Sequence, residues 1–303
     1  MKNYLIIASM ALTLAACSNK EEEIPSQNER VPVQFSAYLG VTETRAVDQT
    51  WSSTDAIGIY MIKAGQAFNE ANVSEGAANV RYIVDAAKTN GFKPDGTAIY
   101  YPMDNSEVDF YAYYPQGATA VTKQVDGSYT YAVNVANQSN QEALDFLYSN
   151  NVNEKSKTNK EVILDFKHRL CKLILTVEPG KGVATADLTK LGVKVKNQNT
   201  TATFDLTMGT LGNDAATAAD ITLFKQTGAY VYEAILLPTD ATDRTFEFNL
   251  NNGSDAPFTW NMGGTLEAGS KYTYTVKLNR TGVEATGQIT AWNPVNGGEV
   301  DAN

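Results

Sequence analysis

Two cysteines and one histidine are the side chains of this 303-residue chain whose chemistry depends most on their neighbours. A reactive thiolate needs an adjacent base or positive charge, and a structural zinc site needs four ligands. Because His168 is the single histidine, multi-histidine metal sites are excluded and a serine–histidine triad is disfavoured. His168 shares its parity with Phe166 and Leu170, which predicts a hydrogen-bonded core or interface residue. Cys171 is predicted to be a buried, inert thiol.

Sequence motifs for enzymatic chemistry are missing. The chain contains no Gly-x-Ser-x-Gly, no phosphate-cradling glycine loop and no Cys-x-x-Cys. Pairs of acids such as Asp104 with Glu107, or Asp240 with Asp243, are expected by number alone in an acidic protein. Their spacing does not show whether they face each other across a cleft, as a glycosidase requires. The sequence therefore predicts a protein that is not an enzyme, with no catalytic, metal or cofactor site.

Cys17 has a different context, at the end of an N-terminal apolar segment. Lys2 is followed by 13 mostly apolar residues at positions 4–16, too few for the roughly 20 that span a bilayer as a helix. The run Leu14-Ala15-Ala16-Cys17 resembles the bacterial lipoprotein signal, in which the thiol is acylated, for example with palmitate. The alternative is an ordinary signal peptide with an incidental cysteine. We expect a signal peptide at residues 1–16 and a protein lipidated at Cys17, anchored to the membrane and not spanning it.

Residues 17–30 are predicted to form a flexible tether. The segment SNKEEE at positions 18–23 is acidic, which is typical of a solvated linker. A lysine with acids just behind a lipidated cysteine also resembles the surface-export signal of some Gram-negative lipoproteins. The expected location is therefore the outer membrane, facing the cell surface.

The composition limits the fold and the partners. The chain has 34 acidic against 24 basic residues, a net charge of −10, which argues against a nucleic-acid partner. Its 16 tyrosines and many β-branched residues favour strands. Its length predicts about two domains. Short helices are predicted at residues 142–147 and 215–220 alone. Strands are predicted at residues 31–39, 56–63, 79–84, 108–114, 128–135, 144–148, 193–196, 201–208, 229–237, 245–251, 257–262 and 271–278.

The longest strand-like run, EVILDFKHRLCKLILTVE at residues 161–178, changes parity in its middle. A strand that continued without interruption would bury one half and expose the other. The run therefore predicts either a bulge or a change of sheet between Leu170 and Leu173. The preceding residues 150–161 hold a single apolar side chain, which favours a solvated linker or a long hairpin loop. We expect domains at residues 31–158 and 159–303.

Six stretches carry a resemblance to a known family. The alternating strand at residues 31–39 precedes Thr44-Arg45-Ala46, and Trp51 precedes the run DAIGIY at residues 55–60. Later come VDFYAYYP at residues 108–115, DFKHRL at residues 165–170 and GQITAW at residues 287–292. Together these resemble the fimbrillin family of surface lipoproteins, the subunits of type V pili. The resemblance implies an all-β fold of two consecutive transthyretin-like β-sandwich domains without enzymatic activity.

The resemblance also implies a route of assembly. Fimbrillins are cut by an arginine-specific protease behind their first strand, and a strand from a neighbouring subunit fills the groove that opens. Arg45 and Ala46 flank the matching bond in this chain. We expect a pilus subunit or adhesin whose partners are other pilin subunits, joined by donor-strand pairing, with a host or glycan ligand as a further candidate. The short polar stretch after Trp292 favours a tip or accessory role. The alternative is a lipid-anchored glycan-binding module with the same fold.

Overall fold

The computed structural model describes residues 30–40, 51–117, 121–212, 218–253 and 255–292, and strands dominate them. The first ten strands are β1 (Gln34–Leu39), β2 (Ala56–Lys63), β3 (Val80–Val84), β4 (Gly91–Pro94), β5 (Val108–Tyr114), β6 (Val121–Lys123), β7 (Tyr129–Asn134), β8 (Leu147–Lys155), β9 (Glu161–His168) and β10 (Cys171–Pro179). The others are β11 (Gly192–Asn199), β12 (Thr201–Asp205), β13 (Thr210–Leu211), β14 (Ala218–Thr222), β15 (Phe224–Lys225), β16 (Val231–Leu236), β17 (Arg244–Asn249), β18 (Phe258–Met262), β19 (Ser270–Asn279) and β20 (Gly282–Ala291).

Helical structure within these residues is confined to short turns. The α-helix α1 spans Gln141–Leu144, and single 3-10 segments lie at Glu70–Asn72 and Thr185–Lys190. Asn140 caps α1 by accepting a hydrogen bond from the backbone N–H of Ala143, the usual device at a helix start. None of these helices, in the part of the chain described, is long and apolar enough to cross a membrane.

The strands form four sheets. Seven of them close into one sheet in the order β1-β4-β3-β2-β5-β8-β9. The other three sheets have the orders β15-β16-β10-β19-β20, β14-β11-β17-β18 and β13-β12-β7-β6. The all-β prediction is thus confirmed.

The buried apolar side chains of the described residues form two clusters. One lies inside the closed sheet and includes Phe35 and Phe110. The larger one joins the outer face of the closed sheet to the other three sheets. Tyr113 meets Tyr131 with ring centroids 5.4 Å apart, and Tyr148 meets Phe204 at 5.0 Å. Aromatic side chains of the closed sheet therefore belong to both cores, according to the face from which they project.

The parity change in the central run is confirmed as a change of sheet. β9 pairs with β1 and β8, whereas β10 pairs with β16 and β19. The transition falls at Arg169 and Leu170, at the near edge of the predicted interval. Val162, Leu164 and Phe166 of β9 belong to the first cluster, the one inside the closed sheet. Leu173, Leu175 and Val177 of β10 belong to the second, larger cluster.

The expected loop at residues 150–161 is wrong for its first half, because β8 continues to Lys155. Polar side chains replace the ladder bonds that this stretch lacks. Asn151 donates its amide to the carbonyl of Ile163 at 3.0 Å and accepts from the N–H of Asp165 at 2.9 Å. Asp109 accepts from the N–H of Glu154 at 2.9 Å. The tight turn lies within residues 156–159.

Hydrogen bonding crosses the position at which the two domains are expected to meet. β9 lies after residue 158 but pairs with β1 and β8, which lie before it. β7 likewise pairs with β12 along five residues, from Thr130↔Asp205 to Asn134↔Thr201. The division of the chain into domains at residues 158 and 159 stays a prediction.

Candidate functional site

The first strand, β1, closes the seven-stranded sheet because it has a partner on each side. It runs antiparallel to β4 through Phe35↔Phe92 and Ser36↔Gly91. It runs parallel to β9 along its whole length, from Gln34↔Glu161 to Leu39↔Phe166. Pro32 lies just before β1, in an isolated bridge to Tyr100, and a proline is tolerated at such a strand start. A sheet that lacked β1 would expose unpaired backbone groups on both β4 and β9.

Backbone hydrogen bonds beyond the strand itself hold both ends of β1. At its start, the Val33 N–H donates to the Ile99 carbonyl at 2.9 Å, and the Val31 carbonyl accepts from Tyr101 at 3.0 Å. At its end, the Gly40 N–H donates to the Phe166 carbonyl at 2.9 Å. The segment from Val31 to Gly40 is therefore fixed as one extended unit.

One face of this segment is apolar and buried, as its alternation predicts. Val33, Phe35 and Ala37 are 4%, 3% and 0% exposed. The Phe35 ring makes edge contacts with Tyr82 at 4.9 Å and with Phe110 at 5.3 Å between centroids. We call the space that these side chains fill the β1 slot. Since apolar burial is worth about 25 cal/mol per Å², these side chains stabilise β1 in the sheet.

Trp51 packs across the far end of the β1 slot. Its indole N–H donates to the Ala37 carbonyl at 2.8 Å, and its ring makes edge contacts with Phe92, Tyr114 and Phe166 at 5.2–5.5 Å. The chain thus leaves β1 at Gly40 and returns to the same place at Trp51. Residues 41–50 connect these two fixed points. Arg45, Ala46 and Cys17 lie outside the described residues.

His168 and Cys171 occupy the structural positions predicted for them. The His168 ring is buried, with Nδ1 2.7 Å from an Asp145 carboxylate oxygen and its face stacked on Trp292 at 3.9 Å. The Cys171 thiol donates to the Leu236 carbonyl at 3.1 Å, and burial raises the pKa of Cys171 to about 12. A thiol with so high a pKa is a poor nucleophile at neutral pH.

A glycan platform would need a row of exposed aromatic side chains. None of the tyrosines in the described residues is exposed: ten are buried and Tyr38, Tyr100, Tyr111, Tyr230 and Tyr274 are half-buried. Within the same residues, no group of three His, Cys, Asp or Glu side chains could hold a metal ion. The β1 slot is therefore the surface on which a functional argument can rest.

Sequence reasoning did not find the partners of β1. The parallel pairing with β9 joins strands on opposite sides of the expected domain boundary, and alternation alone does not specify a partner. Trp51 was identified as part of a motif, but its hydrogen bond to Ala37 has no sequence signal.

The chain is similar to known proteins along most of its length. A family model described as fimbrillin-like matches residues 44–292. A protein from Bacteroides uniformis, provisionally named fimbrium subunit Fim1C, is 32% identical over 317 residues, which cover 100% of this chain and 99% of that one.

Solved structures give the same result. A Bacteroides uniformis protein provisionally described as a cell adhesion protein has a TM-score of 0.73 at 32% identity, covering 87% of this chain and 99% of that one. Another such protein, from Bacteroides ovatus, has a TM-score of 0.65 at 23% identity, covering 88% of this chain and 100% of that one. The second similarity is evidence of a shared fold alone.

Proposed function

Because the chain belongs to the fimbrillin-like family, we propose that it is a fimbrial subunit that assembles by exchange of its first strand. The observation that carries the proposal is the pairing of β1 on both sides above a buried apolar slot. The sequence predicts a tip or accessory position in the fimbrium, exposed at the cell surface.

Loss of β1 would create two complementary needs in one place. β4 and β9 would carry unpaired N–H and C=O groups, and the β1 slot would lose the side chains of Val33, Phe35 and Ala37. A strand from another subunit, apolar at alternate positions, would satisfy the backbone and fill the slot together. While β1 stays in place, the subunit has no open slot and remains monomeric.

A trypsin-like protease can separate β1 from β2 by cutting the peptide bond that follows Arg45. Arg45 is the single Lys or Arg between Arg30 and Lys63. Arg30 precedes β1, and its guanidinium lies over the Tyr100 ring at 4.4 Å. A cut at Arg30 would release the tether and leave β1 in the sheet, whereas a cut at Arg45 would break the covalent link between β1 and the strands that follow it.

Digestion with an arginine-specific protease tests this route. We expect wild-type protein to be cut at Arg45 and then to form higher-order assemblies, measured by size-exclusion chromatography and electron microscopy. Arg45→Ala should be neither cut between β1 and β2 nor assembled, and Arg30→Ala is the matched control that should behave as wild type. Assembly of Arg45→Ala at the wild-type level would refute the activation step.

The lipid anchor belongs to the same proposal, and Cys17 is its expected attachment point. Cells supplied with radiolabelled palmitate should label the wild-type protein and leave Cys17→Ser unlabelled. Cys171→Ala is the matched control, because the other cysteine is buried in the second cluster and should not affect labelling. Label retained in Cys17→Ser would show that the anchor, if any, lies elsewhere.

A further inference from the structure

A cleft of about 250 Å³ opens beside the end of β1, outside the β1 slot. Its walls come from Leu39, Trp51, Tyr114, His168, Ile235 and Trp292, so it lies where the closed sheet meets β10 and β16. The side chains of Val33, Phe35 and Ala37 take no part in it. Strand exchange does not require charged side chains in this cleft.

Three carboxylates share this cleft with the Tyr114 hydroxyl. The hydroxyl donates to Asp55 at 2.9 Å, and Glu142 and Asp145 also line the cavity. Burial, followed by these three negative charges, raises the pKa of Tyr114 far above its usual value. The lining contains one lysine, Lys172. Its ammonium group lies 3.0 Å from a carboxylate oxygen of Glu233, a residue outside the cleft. The lining is therefore negative overall.

Two side chains of the lining, His168 and Gln141, also carry a buried polar atom that has no hydrogen-bond partner among the described residues. A carboxylate only accepts, so His168 Nδ1 donates to Asp145, which leaves Nε2 of the neutral ring as an acceptor. The His168 side chain is 3% exposed, and Nε2 has no partner among the described residues. Gln141 donates its amide to Gln138, while its own Oε1 is buried and similarly unpartnered there. A buried acceptor without a partner destabilises the protein until a donor reaches it.

Aromatic side chains complete the lining. Trp51 stands beside Tyr114 at 5.5 Å between ring centroids, and Trp292 stacks on His168 with an interplanar angle of 7°. Tryptophan faces attract cations at short range through the ring quadrupole. Negative charge, spare acceptors and aromatic walls all favour a ligand that is cationic and carries several donors.

We propose that this cleft binds a single guanidinium or primary ammonium group. Such a group only donates, so it can satisfy the acceptors and compensate the carboxylates at once. A neutral hydroxyl group would leave the charge uncompensated, and an anion would be repelled. The cavity is smaller than the 300 Å³ or so at which pockets accommodate a whole drug-sized ligand, so it suits the end of one side chain or a small amine. The proposal does not rest on strand exchange, although Leu39 of β1 is part of the lining.

Tryptophan fluorescence of the full chain provides the assay. Trp260 packs on Phe246 and Tyr274 away from the cleft, so Trp260→Phe leaves Trp51 and Trp292, which both line it, as the reporters. Titration with agmatine should give a saturable change with a Kd of about 1 mM or below. A blocked Gly-Arg-Gly tripeptide tests the second source of the same group. Tighter binding of the peptide would identify a protein side chain as the ligand, and tighter binding of agmatine a free amine.

Charge variants decide whether the signal comes from this cleft. Glu142→Gln alters an exposed side chain and should fold normally, yet weaken binding several-fold; Asp145→Asn should weaken it about tenfold or more. Asp243→Asn, an exposed acid on another part of the surface, is the matched control and should not change the Kd. Equal affinity in all three variants would overturn the proposal, and so would the absence of saturation by either probe. Saturation by a neutral methyl glycoside, used instead of the two cationic probes, would overturn it as well.

Discussion

Phe35→Ala is expected to lower the free energy of unfolding by about 3–5 kcal/mol, the usual range for a buried phenylalanine. Phe35 is 3% exposed and lies between Tyr82 and Phe110, so its loss leaves a cavity inside a closed sheet. A closed sheet relaxes poorly, because every strand is fixed by partners on both sides. Urea denaturation of the intact chain measures the change.

Gln34→Ala is the control for Phe35→Ala. Gln34 is the neighbouring residue of β1, but its side chain is exposed, so its loss should cost less than about 0.5 kcal/mol. A similar small cost for Phe35→Ala would mean that β1 contributes little to the core, and the proposed slot would then have little affinity for any strand.

The faces of the strands could be predicted from the sequence, because burial of one face is a local property. Alternation correctly identified the inward side chains of β1, and the flip of parity at residues 170–173 located the change of sheet within one residue. Each of these predictions depends on a period of two, which survives whichever strand lies alongside.

Partners and polar strands could not be predicted in the same way. Residues 215–220 are alanine-rich and favour a helix. Ala218 and Ala219 nevertheless lie in β14 and pair with Asn199 and Gln198 of β11, because pairing in the sheet overrides local propensity. The parallel pairing of β1 with β9 has no local signal at all. The acidic cleft is equally hidden, because Asp55 and Asp145 meet Trp292 only when the closed sheet and the sheet that contains β10, β16 and β20 have both formed.

Some motif residues acquire a physical reason only in the structure. Gly287 opens the GQITAW stretch and pairs with Tyr274 across β19 and β20. A Cβ atom at position 287 would lie 2.0 Å from Tyr274 Cδ1, so the tyrosine ring occupies the space that any larger residue needs. The resemblance could include this glycine, but the reason for it depends on a ring from another strand.

After a cut between β1 and β2, β1 is expected to stay in its slot and to leave slowly. Its parallel ladder with β9 and the buried Phe35 ring do not depend on the covalent link behind it. Phe35→Ala should accelerate release about a hundredfold, since a loss of about 3 kcal/mol corresponds to roughly two factors of ten. An acceleration of this size means that the Phe35 contacts are already broken in the transition state for release.

The release rate can be measured without relying on the natural protease. Arg45 is replaced and a cleavage site for an unrelated specific protease is inserted within residues 41–50. The cut protein is then mixed with an excess of fluorescent peptide corresponding to residues 31–39, and polarisation follows its exchange into the β1 slot. Gln34→Ala should exchange at the wild-type rate. If Phe35→Ala also exchanged at the wild-type rate, backbone pairing with β4 and β9 alone would hold β1 in its slot. A clear acceleration would mean that cutting and assembly are separate steps, because an incoming strand must compete for a slot that β1 still occupies.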